Sequence, residues 1–133
     1  MKTLLQISAD HESLREIGPW LRDLFEGSEP PARLAAIELA VHELANNSVD
    51  HAKSDDRLVR LSAEVDLEDL TLTVTVSDRG IAVDPEAIPT PEEHTPQVRG
   101  YGMMIIGQVA DELTYQRIGS ENIWTAAFIG IRD

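Results

Sequence analysis

Between residues 59 and 77 the chain alternates apolar and polar side chains with period two, and it does so twice across one short acidic break. Val59, Leu61, Ala63, Val65 and Leu67 fall on one face of the first run, with Arg60, Ser62, Glu64 and Asp66 on the other. Successive side chains of a strand point to opposite faces, so this is the pattern of a sheet with one buried side. After a tight turn at Glu68-Asp69, Leu70, Leu72, Val74 and Val76 repeat the buried set, and Thr71, Thr73, Thr75 and Ser77 the open one. Two such runs so close together predict a hairpin, and hence a sheet that is at least partly antiparallel. Its apolar face must be covered by a second layer.

Helical patterns supply the cover. Asp10 or Ser13 can cap a helix reaching about Phe25, with Leu14, Ile17, Leu21 and Leu24 on its inner face. Residues 27–31 form a break, and Pro31 suits the first turn of the next helix. That helix carries an apolar stripe of Leu34, Ile37, Val41, Leu44 and Ser48 at core-facing spacing. Residues 3–8 predict a strand, 102–111 a helix, and 113–118 with 122–131 a closing hairpin. The expected architecture is an α/β (α+β) two-layer sandwich, a mixed and mostly antiparallel sheet with helices on one face.

A length of 133 residues with 42% hydrophobic content fits one domain over residues 1–133. With no cysteine, disulfides, thiolate catalysis and cysteine-ligated zinc are excluded. Residues 1–10 do not read as a signal peptide, and no apolar run approaches the roughly 20 residues that span a bilayer. A soluble, cytoplasmic protein is expected. The formal charge of −13, with Lys2 and Lys53 as the only lysines, repels nucleic acid and anionic membrane, so neither is expected as a partner.

Within the second helix, Glu43, Asn47 and His51 are spaced four apart and share one face. Asn46, Asn47 and Asp50 each lower helix propensity by about 0.5 kcal/mol relative to alanine. The chemical reading is a carboxylate base and an amide ligand for a hard, water-rich cation such as Mg2+; the alternative is a solvated polar face. Asp78 stands where the alternation of Leu72, Val74 and Val76 calls for an apolar residue. A carboxylate at the rim of a core is costly unless hydrogen-bonded, and a ligand amino group would satisfy it; the alternative is an aspartate accepting local backbone donors in a turn. Arg99-Gly100-Tyr101-Gly102 opens an apolar helical run, and glycines entering a helix expose N–H groups suited to phosphate. Residues 81–98 hold Pro85, Pro89, Pro91 and Pro96 and read as a lid. A P-loop is absent, as are the catalytic-loop and metal-binding signatures of eukaryotic-type protein kinases.

With E-x-x-x-N on a helix, D-x-G after a strand and G-x-G entering a helix in that order, the chain resembles the GHKL ATPase superfamily. That superfamily includes gyrase, the heat-shock chaperone, bacterial histidine kinases and the mismatch-repair ATPase. The resemblance is closer to the small bacterial anti-sigma factors that act as serine protein kinases, and it runs over nearly the whole chain. Residues 42–52 match that family's N box, with Glu43, Asn47 and His51 on its signature positions. Asp78-Arg79-Gly80 matches the adenine box and Gly100-Tyr101-Gly102-Met103 the second glycine box. Ala82 stands where the adenine box usually has a second glycine, which adds a methyl group and disfavours positive φ.

The resemblance implies a Bergerat-type fold that binds ATP and Mg2+. Asp78, with Gly80, would bind adenine; Gly100, Gly102, Met103 and Arg99 would hold phosphates; Asn47 would ligate Mg2+; and Glu43 would act as the base. His51 is expected to be a structural residue at the helix end. The function implied is an ATP-dependent serine kinase acting on a STAS-domain anti-anti-sigma protein, with a sigma factor or equivalent effector as second partner and with homodimerisation. The alternative is a non-catalytic, nucleotide-responsive module that sequesters a regulatory partner. A detached histidine-kinase catalytic domain is a third reading.

Overall fold

Among the described residues, five strands build one sheet: β1 (Lys2–Ser8), β2 (Leu58–Asp66), β3 (Thr71–Asp78), β4 (Glu112–Ile118) and β5 (Glu121–Phe128), in the order β1-β2-β3-β5-β4. The computed structural model describes residues 2–27, 29–51, 57–66, 68, 70–81 and 106–131. All four pairings are antiparallel, so the antiparallel part of the expected sheet is the whole of it among the described residues. The predicted hairpin is β2 with β3, its register running from Val59 opposite Asp78 to Asp66 opposite Thr71. Period two decides the faces. Val59, Leu61, Ala63 and Val65 are buried with Leu72, Val74 and Val76, while the threonines of β3 are half-exposed.

Leu70 departs from the strand pattern. It precedes β3, half-buried, with φ at 55°, and its carbonyl accepts the Ile131 N–H at 3.0 Å. A non-glycine residue in that left-handed region costs about 1–2 kcal/mol. Leu67 and Asp69 lie outside the described residues.

The helical layer covers the buried face. A 3-10 helix (Glu12–Glu16) leads into α1 (Ile17–Asp23), and α2 (Leu34–His51) follows. A single helix to Phe25 was expected; Pro19 explains the division, since it lacks the N–H that a continuous helix would direct to the Arg15 carbonyl. Asp10 Oδ1 accepts the Ser13 N–H at 2.8 Å, and hydrogen bonds from the Ser13 side chain and backbone hold the Asp10 carboxyl below the usual aspartate value. All five stripe residues of α2 are buried, Ile37, Val41 and Leu44 completely. Each such aliphatic side chain contributes about 1.5–3 kcal/mol relative to exposure. Trp20 donates through Nε1 to Thr3 Oγ1, tying α1 to the edge strand β1. Arg33 donates to the carbonyls of Ile129 and Val109 and so fixes the start of α2 against the chain's last turns.

The helix expected over 102–111 is described only from residue 106, as a helical turn over 106–109 with Ile106 buried. Among the described residues no helix is long and apolar enough to cross a membrane.

Candidate functional site

α2 lies on β3, with its apolar stripe against the sheet, so the residues beside that stripe stand at the margin of the interlayer space. Glu43 and Asn47 are there, both half-exposed, flanked by the buried Leu44, Ala45 and Ser48. Among the described residues Glu43 makes no hydrogen bond or ion pair, which leaves its carboxylate open to an incoming group. Asp50 is engaged otherwise: its carboxylate lies 3.3 Å from His11 Nε2, joining the end of α2 to the segment after β1. Ser48 is 2% exposed, and its hydroxyl has no hydrogen-bond partner among the described residues.

Asp78 closes β3 on the helix-covered face and is 1% exposed. Its Oδ1 accepts two hydrogen bonds, from the Gly80 N–H at 2.7 Å and from Asn122 Nδ2 at 3.0 Å. Among the described residues Oδ2 accepts none. A buried carboxylate with one oxygen doubly satisfied and the other spare retains an acceptor position that an amino or amide donor would fill. The reading of Asp78 as an acceptor of local backbone donors is met through Gly80.

Asn122 was not singled out in the sequence, although the same signal marks it. Phe128, Ala126 and Trp124 alternate along the buried face of β5, and the next position inward is Asn122, fully buried and paired in register with Asp78. Its Nδ2 also donates to the Ile81 carbonyl at 2.9 Å. Its Oδ1 accepts the Tyr115 hydroxyl and Arg117 Nη1, the latter at 3.1 Å. Arg117 Nη1 further donates to the Gly80 carbonyl at 2.7 Å.

Of the residues read from the sequence, Glu43, Asn47, Asp78 and Gly80 are thus described, with Gly80 buried beneath the Asp78 carboxylate. His51 ends α2, as expected, and nothing is stated of its side chain. Arg99, Gly100, Gly102, Met103, Ala82 and the lid stretch 82–98 lie outside the described residues. Among those described, no group of three or more His, Asp or Glu could hold a metal ion. A cation at this site would rest on the ligand's own oxygens and one amide such as Asn47, which suits Mg2+.

Among the described residues these features define a two-layer α/β domain with a buried polar cluster at the end of its central hairpin. Residues 7–127 match the histidine kinase-like ATPase domain, and the chain belongs to that GHKL family, whose domains bind ATP, generally with Mg2+. No curated protein matches by sequence. The fold is similar to the RsbU and RsbW domains of Rv1364c from Mycobacterium tuberculosis, at 15% identity and a TM-score of 0.70, over 96% of this chain and 32% of that one. It is also similar to the histidine kinase domain of the Erythrobacter litoralis EL346 blue-light activated histidine kinase, at 22% identity and a TM-score of 0.56, over 89% of this chain and 59% of that one. The Acinetobacter baumannii histidine kinase AdeS matches at 15% identity and a TM-score of 0.55, over 98% of this chain and 68% of that one. The chain thus spans about a third of the first of these and three-fifths of the second.

Proposed function

We propose that this domain is an ATP-dependent serine protein kinase and anti-sigma-type regulator that phosphorylates a STAS-domain anti-anti-sigma partner. A sigma factor or equivalent effector is its other partner. The observation that carries the reading is the buried Asp78 carboxylate, half satisfied by Gly80 and Asn122 and still able to accept the adenine amino group. The likeness to a structure containing an RsbW domain supports the regulatory part of it.

In this mechanism Asp78 selects the base, and Gly100, Gly102, Met103 and Arg99 hold the phosphates. Asn47 would hold Mg2+ through its amide oxygen, and the ion would supply charge neutralisation at the phosphates. Glu43, one turn earlier on α2, accepts the proton of the attacking serine hydroxyl, and its lack of a partner among the described residues keeps it available for that task.

Labelled-phosphate transfer from ATP to the cognate partner tests the proposal. Glu43→Gln keeps the helix face but removes the base, and is expected to lower transfer by about a hundredfold or more while nucleotide binding persists. Asn47→Ala is expected instead to weaken Mg-dependent nucleotide binding. Equal transfer by wild type and Glu43→Gln would remove Glu43 from the mechanism. The second reading, a non-catalytic module that sequesters its partner, draws on Ala82 in place of a glycine. It prevails if wild type holds the partner yet transfers nothing.

A further inference from the structure

Asp78 sits at the end of a strand, where a lone aspartate could turn about two side-chain torsions. What it presents to a ligand depends on what holds its inner oxygen. One clamp is the Gly80 N–H, and the other is Asn122, from a different strand. The Asn122 amide is fully buried and fully used: Nδ2 spends both hydrogens on Asp78 and Ile81, and Oδ1 takes both Tyr115 and Arg117. An amide offers no more than two donors and two acceptor lone pairs. Flipping it would turn its oxygen toward two acceptors and its NH2 toward two donors, so the surroundings admit one orientation. The Tyr115 ring is held in turn by Trp124, with centroids 4.7 Å apart. Arg117 binds both Asn122 and the Gly80 carbonyl, which also fixes the backbone leaving Asp78.

We infer that Asn122, braced by Tyr115 and Arg117, is the positioning residue that sets the direction of the outer Asp78 oxygen and thereby the choice of nucleobase. This rests on the nucleotide-binding reading above. The chemistry makes the choice explicit. An ionised carboxylate only accepts, so a correctly aimed Asp78 favours a purine with an amino group at carbon six and rejects one with an oxo group there. If Asn122 lets go, Oδ1 loses one of its two donors, and the carboxylate can rotate or take in water.

The experiment is calorimetric titration of the full chain with Mg-ATP and with Mg-ITP, in wild type, Asn122→Ala, Tyr115→Phe and Asp78→Asn, each checked for folding by circular dichroism. Wild type should prefer ATP, and Asn122→Ala should reduce the ATP-to-ITP preference by about tenfold, as expected for one hydrogen bond to a charged group. Tyr115→Phe removes a single hydroxyl and keeps the ring, so it remains informative if Asn122→Ala does not fold; a reduction of about threefold is expected from one weaker bond. A purely structural role would weaken both nucleotides alike and leave the ratio unchanged. An unchanged ratio in folded Asn122→Ala, or in Tyr115→Phe should the former not fold, overturns the positioning role while the nucleotide reading stands, provided that Asp78→Asn abolishes the preference. Failure of wild type to bind either nucleotide overturns both, and a preference that survives Asp78→Asn overturns the positioning role while nucleotide binding stands.

Discussion

At Asp78 the structure makes a specific demand of any substitution. Asparagine can offer its carbonyl to the same Gly80 and Asn122 donors, so Asp78→Asn should fold. Its NH2 would then replace the spare oxygen and meet an amino group donor to donor. Wild type at about a hundred times the dissociation constant of Mg-ATP should gain roughly 2.7 kcal/mol. Asp78→Asn should lose most of that gain in a thermal-shift assay while keeping its unliganded melting temperature close to wild type. No shift in folded wild type would refute ATP binding. Asp78 was legible beforehand because it interrupts an apolar alternation, and Asn122 carries the same mark in β5. Tyr115 and Arg117 were not legible, because their role depends on the β4–β5 register, which places Arg117 directly opposite Asn122. Nothing in local sequence states that register.

The strands were legible as elements because half-burial imposes period two, and α2 because its stripe keeps helical spacing through 18 residues. The first helix was less so: apolar spacing is compatible with both the 3-10 turn and α1, and only the missing donor of Pro19 separates them. The turn ahead of that helix gives a pH test. Hydrogen bonds from the Ser13 side chain, then from its backbone, lower the Asp10 pKa in the folded chain. A carboxyl whose folded pKa is depressed stabilises the fold above its unfolded pKa and ceases to do so as pH falls through the folded value. Asp10→Ala should therefore melt lower than wild type at neutral pH, and the two curves should converge as the buffer is taken below the ordinary carboxylate range. A gap that stays constant into acid would show that Asp10 acts through something other than its charge.

Across the whole molecule, the two halves of the Asp78–Asn122 cluster come from distant parts of the chain. The Asp78–Asn122 bond joins residues 44 apart, and the β3–β5 pairing beside it spans a similar separation. Bringing such ends together has an entropic cost that grows only with the logarithm of the intervening length, about 0.6 kcal/mol for each doubling in a flexible chain. Non-local pairing of this kind also closes later in folding than a neighbouring hairpin such as β2–β3. Added length in a flexible connection costs little on this scale. Inserting ten glycine and serine residues near position 90 should shift the equilibrium stability in urea by well under 1 kcal/mol, whereas the same insertion between β2 and β3 should cost more, because it lengthens a short connection by a larger factor. Evolution could lengthen or shorten the connection between β3 and β4 without having to rebuild the sheet that holds Asp78 against Asn122.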